Sequence, residues 1–144
     1  MRLTSFTDYS LRVLMYLAAR PGRQATIGEI ATAFGISASH LTKVVQHLGR
    51  KGWLTNVRGR GGGIGLACPA ADITLGAVVR SSEAADALVE CFDPRGNCCV
   101  ITPVCALRGT LERALGAFYA ALDRTTLADI TRNRGALQRV LRIA

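Results

Sequence analysis

Four of the five cysteines in the chain fall within one short stretch, CFDPRGNCCVITPVC, residues 91–105. Closely spaced thiols can bridge as disulfides, exchange electrons, or ligate a metal. The stretch holds Pro94, Pro103 and Gly96 and lacks a helical period, so it is expected to be a loop. An odd number of cysteines argues against a fully paired disulfide framework. The N-terminal MRLTSFTDYS has no apolar signal core, and no apolar run approaches the roughly 20 residues of a membrane span. A cytoplasmic protein is expected, and that compartment keeps thiols reduced. Metal or redox chemistry is therefore favoured over a structural bridge. Structural zinc sites place tight cysteine pairs on two separate loops. Thiolates spread along one loop can instead wrap a group larger than a single ion. Adjacent Cys98 and Cys99 would ligate one small ion together only awkwardly, so three thiolates and one spare is the natural count. No local histidine or aspartate is placed to complete the set. Cys68 sits among apolar neighbours and is expected to be a small buried hydrophobe.

The elements that position this loop can be read outward from it. At 144 residues and 49% apolar composition, the chain is one ordinary domain or a small domain with an appended element. The net charge of +8 is uneven: residues 1–65 carry nine Lys or Arg against Asp8 and Glu29, a balance of +7. A localised basic surface suits a polyanion, because neutralising phosphates releases condensed counterions. A merely solvated basic face is the alternative.

Within that basic half, Thr7 or Ser5 is expected to cap a helix with Leu11, Leu14, Met15 and Leu17 at helical spacing. Arg20-Pro21-Gly22 ends it. Thr26 begins a short helix with Glu29 three residues on, a capping-box pattern, and Ile27, Ile30, Ala31 and Phe34 form its apolar face. Gly35 ends it, and Ser37 caps a third helix whose apolar side is Leu41, Val44, Val45 and Leu48. The opposite side carries Ser39, His40, Thr42, Lys43, Gln46 and His47, with both histidines expected to face DNA or solvent. Two short helices joined by a Gly-containing turn predict a helix-turn-helix, whose second helix reads the major groove. Residues 53–57 and 64–68 have strand character around RGRGGG, residues 58–63. A glycine-rich tip carrying Arg58 and Arg60 predicts a wing that meets the minor groove. A nucleotide-phosphate loop is excluded, because neither Gly-Lys-Ser/Thr nor G-x-G-x-x-G is present. The expected DNA contacts are Thr26, Ser37, Ser39, His40, Thr42, Lys43, Gln46, Arg58, Arg60, Gly61 and Gly62.

A short helix is expected near residues 74–79, and a long one from Val104 to about Leu122. Leu107, Leu111, Ala114, Leu115, Phe118 and Leu122 make one apolar stripe along it, which needs a partner surface. A two-fold homodimer on a pseudo-palindromic operator is the expected arrangement. The tail from Thr126 is expected to hold a short helix that packs back. The fold class is thus mainly α with a small β-hairpin wing. The expected divisions are a winged helix-turn-helix domain (1–80), a cluster-binding loop (81–103), and a dimerisation helix with its tail (104–144). A thiol-redox enzyme lacks its C-x-x-C and βαβ setting, and no Ser/His/Asp set or paired carboxylates appear, so no enzyme is expected. A zinc-stabilised or thiol-redox-responsive regulator remains the alternative.

The segments MRLTSFTDYSLRVLMYLA, RGRGGGIGLA and CVITPVCAL, together with the helix-turn-helix between them, resemble the NsrR branch of the NsrR/IscR-type winged-helix regulators. The likeness runs over nearly the whole chain. It implies a dimeric repressor holding an iron–sulfur cluster on three cysteines per subunit, a 4Fe–4S form in preference to 2Fe–2S. It also implies sensing of nitric oxide, with nitrosylation releasing the operator. The motif C-V-I-T-P-V-C carries the last two ligands onto Cys99 and Cys105, and the first falls on Cys91. The resemblance further implies a fourth ligand, Asp8 of the partner subunit, from the stretch FTDYS. Two departures stand out. The interval from Cys91 to Cys99 exceeds the family's usual five intervening residues and contains Cys98, a possible substitute for Cys99. Arg108 occupies the position of the IscR-branch histidine.

Overall fold

The computed structural model describes residues 2–57, 62–83 and 88–143. Among them the order is α1 (Ser5–Ala18), α2 (Ile27–Phe34), α3 (Ala38–Arg50), β1 (Leu54–Val57), β2 (Gly63–Leu66), α4 (Leu75–Ser82), α5 (Ala106–Asp123), α6 (Leu127–Ile130) and α7 (Arg134–Val140). The molecule is mainly helical, with one antiparallel hairpin in which Leu54 faces Leu66 and Val57 faces Gly63.

Local chemistry accounts for most boundaries. The cap of α1 is Thr4, not Thr7 or Ser5: its Oγ1 accepts the Thr7 N–H at 3.2 Å. Thr4 is pinned there because its own N–H and hydroxyl donate to Glu83 Oε1 at 2.8 and 3.2 Å. The capping box of α2 forms as expected, with Glu29 Oε2 taking the Thr26 N–H at 2.6 Å. Gly35 closes α2 at φ 63°, left-handed backbone that glycine tolerates without cost, and turns the chain into α3. Ser37 occupies the N-cap of α3 without capping it, since its hydroxyl pairs with Ser39 Oγ at 2.7 Å. The long helix starts at Ala106, two residues later than expected. Pro103 lies in a 3₁₀ turn over Thr102–Val104, and Cys105 then leaves helical geometry at ψ 105° before α5 begins.

The core gathers Val13, Leu14 and Leu17 of α1, Ile30 of α2, Leu41, Val44, Val45 and Leu48 of α3, and Leu54 and Ile64 of the hairpin. Burying each such side chain contributes roughly 1.5–3 kcal/mol. All four expected apolar positions of α3 are buried. Helix α1 is enclosed more widely than its stripe predicts: Thr7, Ser10, Val13 and Tyr16 are buried, while Leu11 and Met15 are only partly so. Ser10 satisfies its hydroxyl on the Phe6 carbonyl at 2.8 Å. The tail packs back as two helical segments rather than one. Leu127 is fully buried in the core, and Gln138 Nε2 donates to the Ala19 carbonyl at 2.7 Å.

Helix α5 leans on α4 through Arg80, whose guanidinium pairs with both Asp123 oxygens at 2.6 and 2.7 Å and lies 4.4 Å from the Tyr119 ring centroid. A Cβ at Gly76 would come within 1.9 Å of Asp123 Oδ1, so a glycine there lets the carboxylate reach across. None of the residues of α5 is buried, and Leu107 is 63% exposed. Among the described residues its apolar stripe is only partly covered, Leu107 and Ala114 being exposed and Leu111, Leu115, Phe118 and Leu122 half-buried.

Candidate metal centre and nucleic-acid interface

The cysteine loop is irregular but hydrogen-bonded. Cys91 lies in a 3₁₀ turn, Glu90–Phe92, and Cys105 is the residue from which α5 starts. The Glu90 carboxylate accepts the Cys98 N–H at 2.5 Å, drawing the second arm of the loop toward the Cys91 turn. Cys99 is held at both ends of its backbone. Its N–H donates to Asn97 Oδ1 at 3.1 Å, and its carbonyl accepts from Thr102 N–H at 3.2 Å and Thr102 Oγ1 at 2.8 Å. All five cysteines are free thiols; Cys91, Cys99 and Cys105 are half-buried and Cys98 is exposed. Among the described residues no three of His, Cys, Asp or Glu gather into a metal-holding group. The loop thus frames its donors without assembling them.

The donor set fits an iron–sulfur cluster in kind. Three half-buried thiols on one loop are soft ligands, none consumed by a disulfide. Three thiolates leave a fourth position to a residue from elsewhere. Asp8 sits in the first turn of α1, its side chain 45% exposed. Within the chain its carboxylate is engaged by Arg12, with Nε at 3.1 Å from Oδ1 and Nη2 at 2.7 Å from Oδ2. Cys68 packs against the core but is only half-buried, less than the buried position its apolar setting predicts, and desolvation followed by the charge of Asp72 pushes its thiol pKa up. That makes it a poor thiolate.

The second site lies across the helix-turn-helix and hairpin. An open cleft is lined by Thr26, Thr42, Gln46, Asn56 and Gly62, together with Ile27 and Val57. Four expected DNA contacts thus meet on one face. Asn56, on β1, was not singled out in the sequence; its exposed place in the hairpin was the only signal. Thr26 and Thr42 already spend their hydroxyls locally, Thr26 on the Glu29 N–H and Thr42 on the Ala38 carbonyl at 2.9 Å. Ser37, Ser39, His40 and Lys43 are exposed along the leading half of α3. Arg58, Arg60 and Gly61 lie outside the described residues. The hairpin that carries them is anchored by paired backbone bonds between Ala25 and Ile64 at 2.9 and 2.8 Å.

His47 corrects the expectation that it faces DNA or solvent. It is half-buried, its Nε2 lies 3.2 Å from Ser81 Oγ on α4, and its ring meets Phe6 edge-on at 5.3 Å. Desolvation first, then the charges of Lys51 and Arg50, hold its pKa below the ordinary 6.5. The folded state therefore binds this proton less readily than the unfolded state does. The stability it confers is present above pH 6.5 and is lost as pH falls through that value toward the lowered folded pKa. Urea unfolding of wild type and His47→Gln between pH 7.5 and 5 checks this: the wild type loses more stability on acidification than the variant. Parallel slopes would refute it.

Comparison with known proteins decides the family. Residues 3–133 match the family model of Rrf2, an iron-dependent transcriptional regulator. The chain belongs to the Rrf2 family. It is 48% identical over 144 residues to the HTH-type transcriptional regulator NsrR of Bacillus subtilis, covering 99% of each chain. It is 50% identical over 143 residues to NsrR of Geobacillus kaustophilus, covering 99% of this chain and 97% of that one. A transcriptional regulator from Listeria innocua shares the fold at TM-score 0.78 and 28% identity, over 92% of this chain and 87% of that one. The chain is thus an NsrR-type Rrf2 transcription regulator with a winged-helix fold, not an enzyme. Among the described residues no helix is long and apolar enough to cross a membrane.

Proposed function

We propose that this Rrf2 protein is a cytoplasmic, homodimeric repressor that binds a pseudo-palindromic DNA operator and releases it in response to nitric oxide. The observation that carries the proposal is the cysteine loop itself, three half-buried free thiols ending where an 18-residue helix with no fully buried residue begins. Cys91, Cys99 and Cys105 would hold an iron–sulfur cluster, with Cys98 the alternative assignment to Cys99. Asp8 of the partner subunit would complete the set. When bound, the cluster supplies iron that reacts with nitric oxide, most readily at the oxygen-ligated corner, because carboxylate is a harder and weaker donor than thiolate.

The protein's own residues translate that event. Asp8 leaves Arg12 to reach the neighbouring loop, tying α1 of one subunit to the other. The stripe from Leu107 to Leu122 packs on its copy across the two-fold axis and sets the half-site spacing. Arg58, Arg60, Gly61 and Gly62 place the wing, while Thr26, Ser37, Ser39, His40, Thr42, Lys43 and Gln46 line the groove-facing side. Lys43 and the wing arginines supply phosphate attraction. By linkage, the DNA-competent dimer must hold the cluster more tightly than the incompetent one. Anaerobic operator titrations before and after nitric oxide test the proposal, and weaker binding after treatment is expected.

A further inference from the structure

We propose that Tyr9 is the positioning residue through which the state of Asp8 reaches the DNA-reading end of α3. The inference rests on the reading of Asp8 as a ligand from α1. Tyr9 follows Asp8 directly, and its ring stacks on His40 with centroids 6.4 Å apart and planes 29° from parallel. His40 lies in the first turn of α3, the end whose side chains read bases in a helix-turn-helix. Phe6, on the preceding turn of α1, meets His47 two turns further along α3.

The two contacts differ in kind. His47 is fastened on a second side by Ser81 of α4 and is half-buried, so the rear of α3 is pinned. His40 is exposed, and Tyr9 is its one aromatic neighbour among the described residues. Both rings border a 280 Å³ cleft lined also by Ser5, Phe6, Lys43 and Val44. A filled contact would resist displacement, whereas this space lets the Tyr9 ring take a second position. The Arg12 guanidinium, which holds Asp8, also lies 6.0 Å from the Tyr9 ring centroid. The same guanidinium lies 5.8 Å from the Phe34 ring of α2, but of these two rings it is Tyr9 that stacks on α3, so a change of partner at Asp8 would reach His40 through Tyr9. The front of α3 moves and the rear does not, which alters base contacts while leaving the core intact.

The test compares full-length wild type, Tyr9→Leu and Tyr9→Phe, each titrated with operator DNA in cluster-loaded and cluster-free form. In the cluster-free protein, NMR of the His40 ring protons reports the stack independently of any cluster. Wild type is expected to bind about tenfold or more tightly when loaded, within the usual range of coupling free energies. Tyr9→Phe keeps the ring, the ratio and the His40 shift. Tyr9→Leu keeps the cluster's visible absorption and the cluster-free affinity, but its ratio falls close to one and the His40 resonances move toward those of an unstacked ring. A Tyr9→Leu protein with the full wild-type ratio overturns the proposal alone. A wild-type ratio of one overturns the cluster-dependent reading and this proposal with it.

Discussion

Cys99→Ser is expected to abolish the visible absorption of anaerobically purified protein, and Cys98→Ser to leave it intact. The backbone favours the first of these neighbours as the proposed ligand. Cys99 is fixed at its N–H by Asn97 and at its carbonyl by Thr102, and its side chain is half-buried. Cys98 is exposed, and among the described residues its backbone is held through its N–H alone, by Glu90. A ligand held on both sides gives up less conformational freedom on binding iron, which favours Cys99. Cys91→Ser and Cys105→Ser should match Cys99→Ser, and all three variants should bind operator as the cluster-free wild type does. The reverse result, colour lost with Cys98 and kept with Cys99, would reassign the ligand. A colourless wild type carrying stoichiometric zinc would replace the cluster with a structural ion.

The second large effect concerns α5. Leu107→Glu combined with Leu111→Glu should convert a dimer to a monomer in light scattering at micromolar concentration. Leu107 is exposed and Leu111 half-buried, and neither belongs to the core cluster, so the fold of one chain should survive. Inside a two-fold interface each glutamate would meet apolar surface and its own symmetry copy, and a buried unpaired charge is strongly disfavoured. Losing one of two linked half-site contacts should weaken operator binding by about 10²-fold or more. An unchanged dimer would place the interface elsewhere. The stripe was legible in the sequence, but that it is only partly covered within one chain became visible only with α4 and α5 in place.

What could be read from sequence was whatever depends on near neighbours. The Thr26–Glu29 capping box, the Gly35 turn and the four buried positions of α3 all follow from spacings of three or four residues. So did the hairpin around residues 58–63, because strand alternation on both sides of a glycine run leaves few other folds. What escaped depended on distant contacts. Thr4 caps α1 because Glu83, 79 residues away, fastens its N–H. Val13 and Tyr16 are buried because α1 is packed against α3, α4, α6 and the hairpin, so its enclosure exceeds a single stripe. His47, expected to face DNA or solvent, is instead held by Ser81 and Phe6. The cysteine site was legible as a set of donors, from the resemblance and the loop composition. Its geometry was not, because among the described residues no three such donors gather within one chain.

The same limit shapes how Asp8 is understood. Within one chain its carboxylate is a surface partner of Arg12, and such exposed i,i+4 pairs contribute little to stability. A weakly held carboxylate in the first turn of α1 can be transferred to another partner at small cost. That property suits the proposed role, in which the carboxylate is gained as a ligand and later surrendered.

The central claim is that operator affinity depends on an intact cluster and falls with nitric oxide. Fluorescence titration of labelled operator DNA, under anaerobic conditions, measures it directly with loaded, cluster-free and nitric-oxide-treated protein. The account predicts the tightest binding for the loaded form, and weakening by about tenfold or more, a typical allosteric coupling, in the other two. Equal affinity in all three states would contradict it.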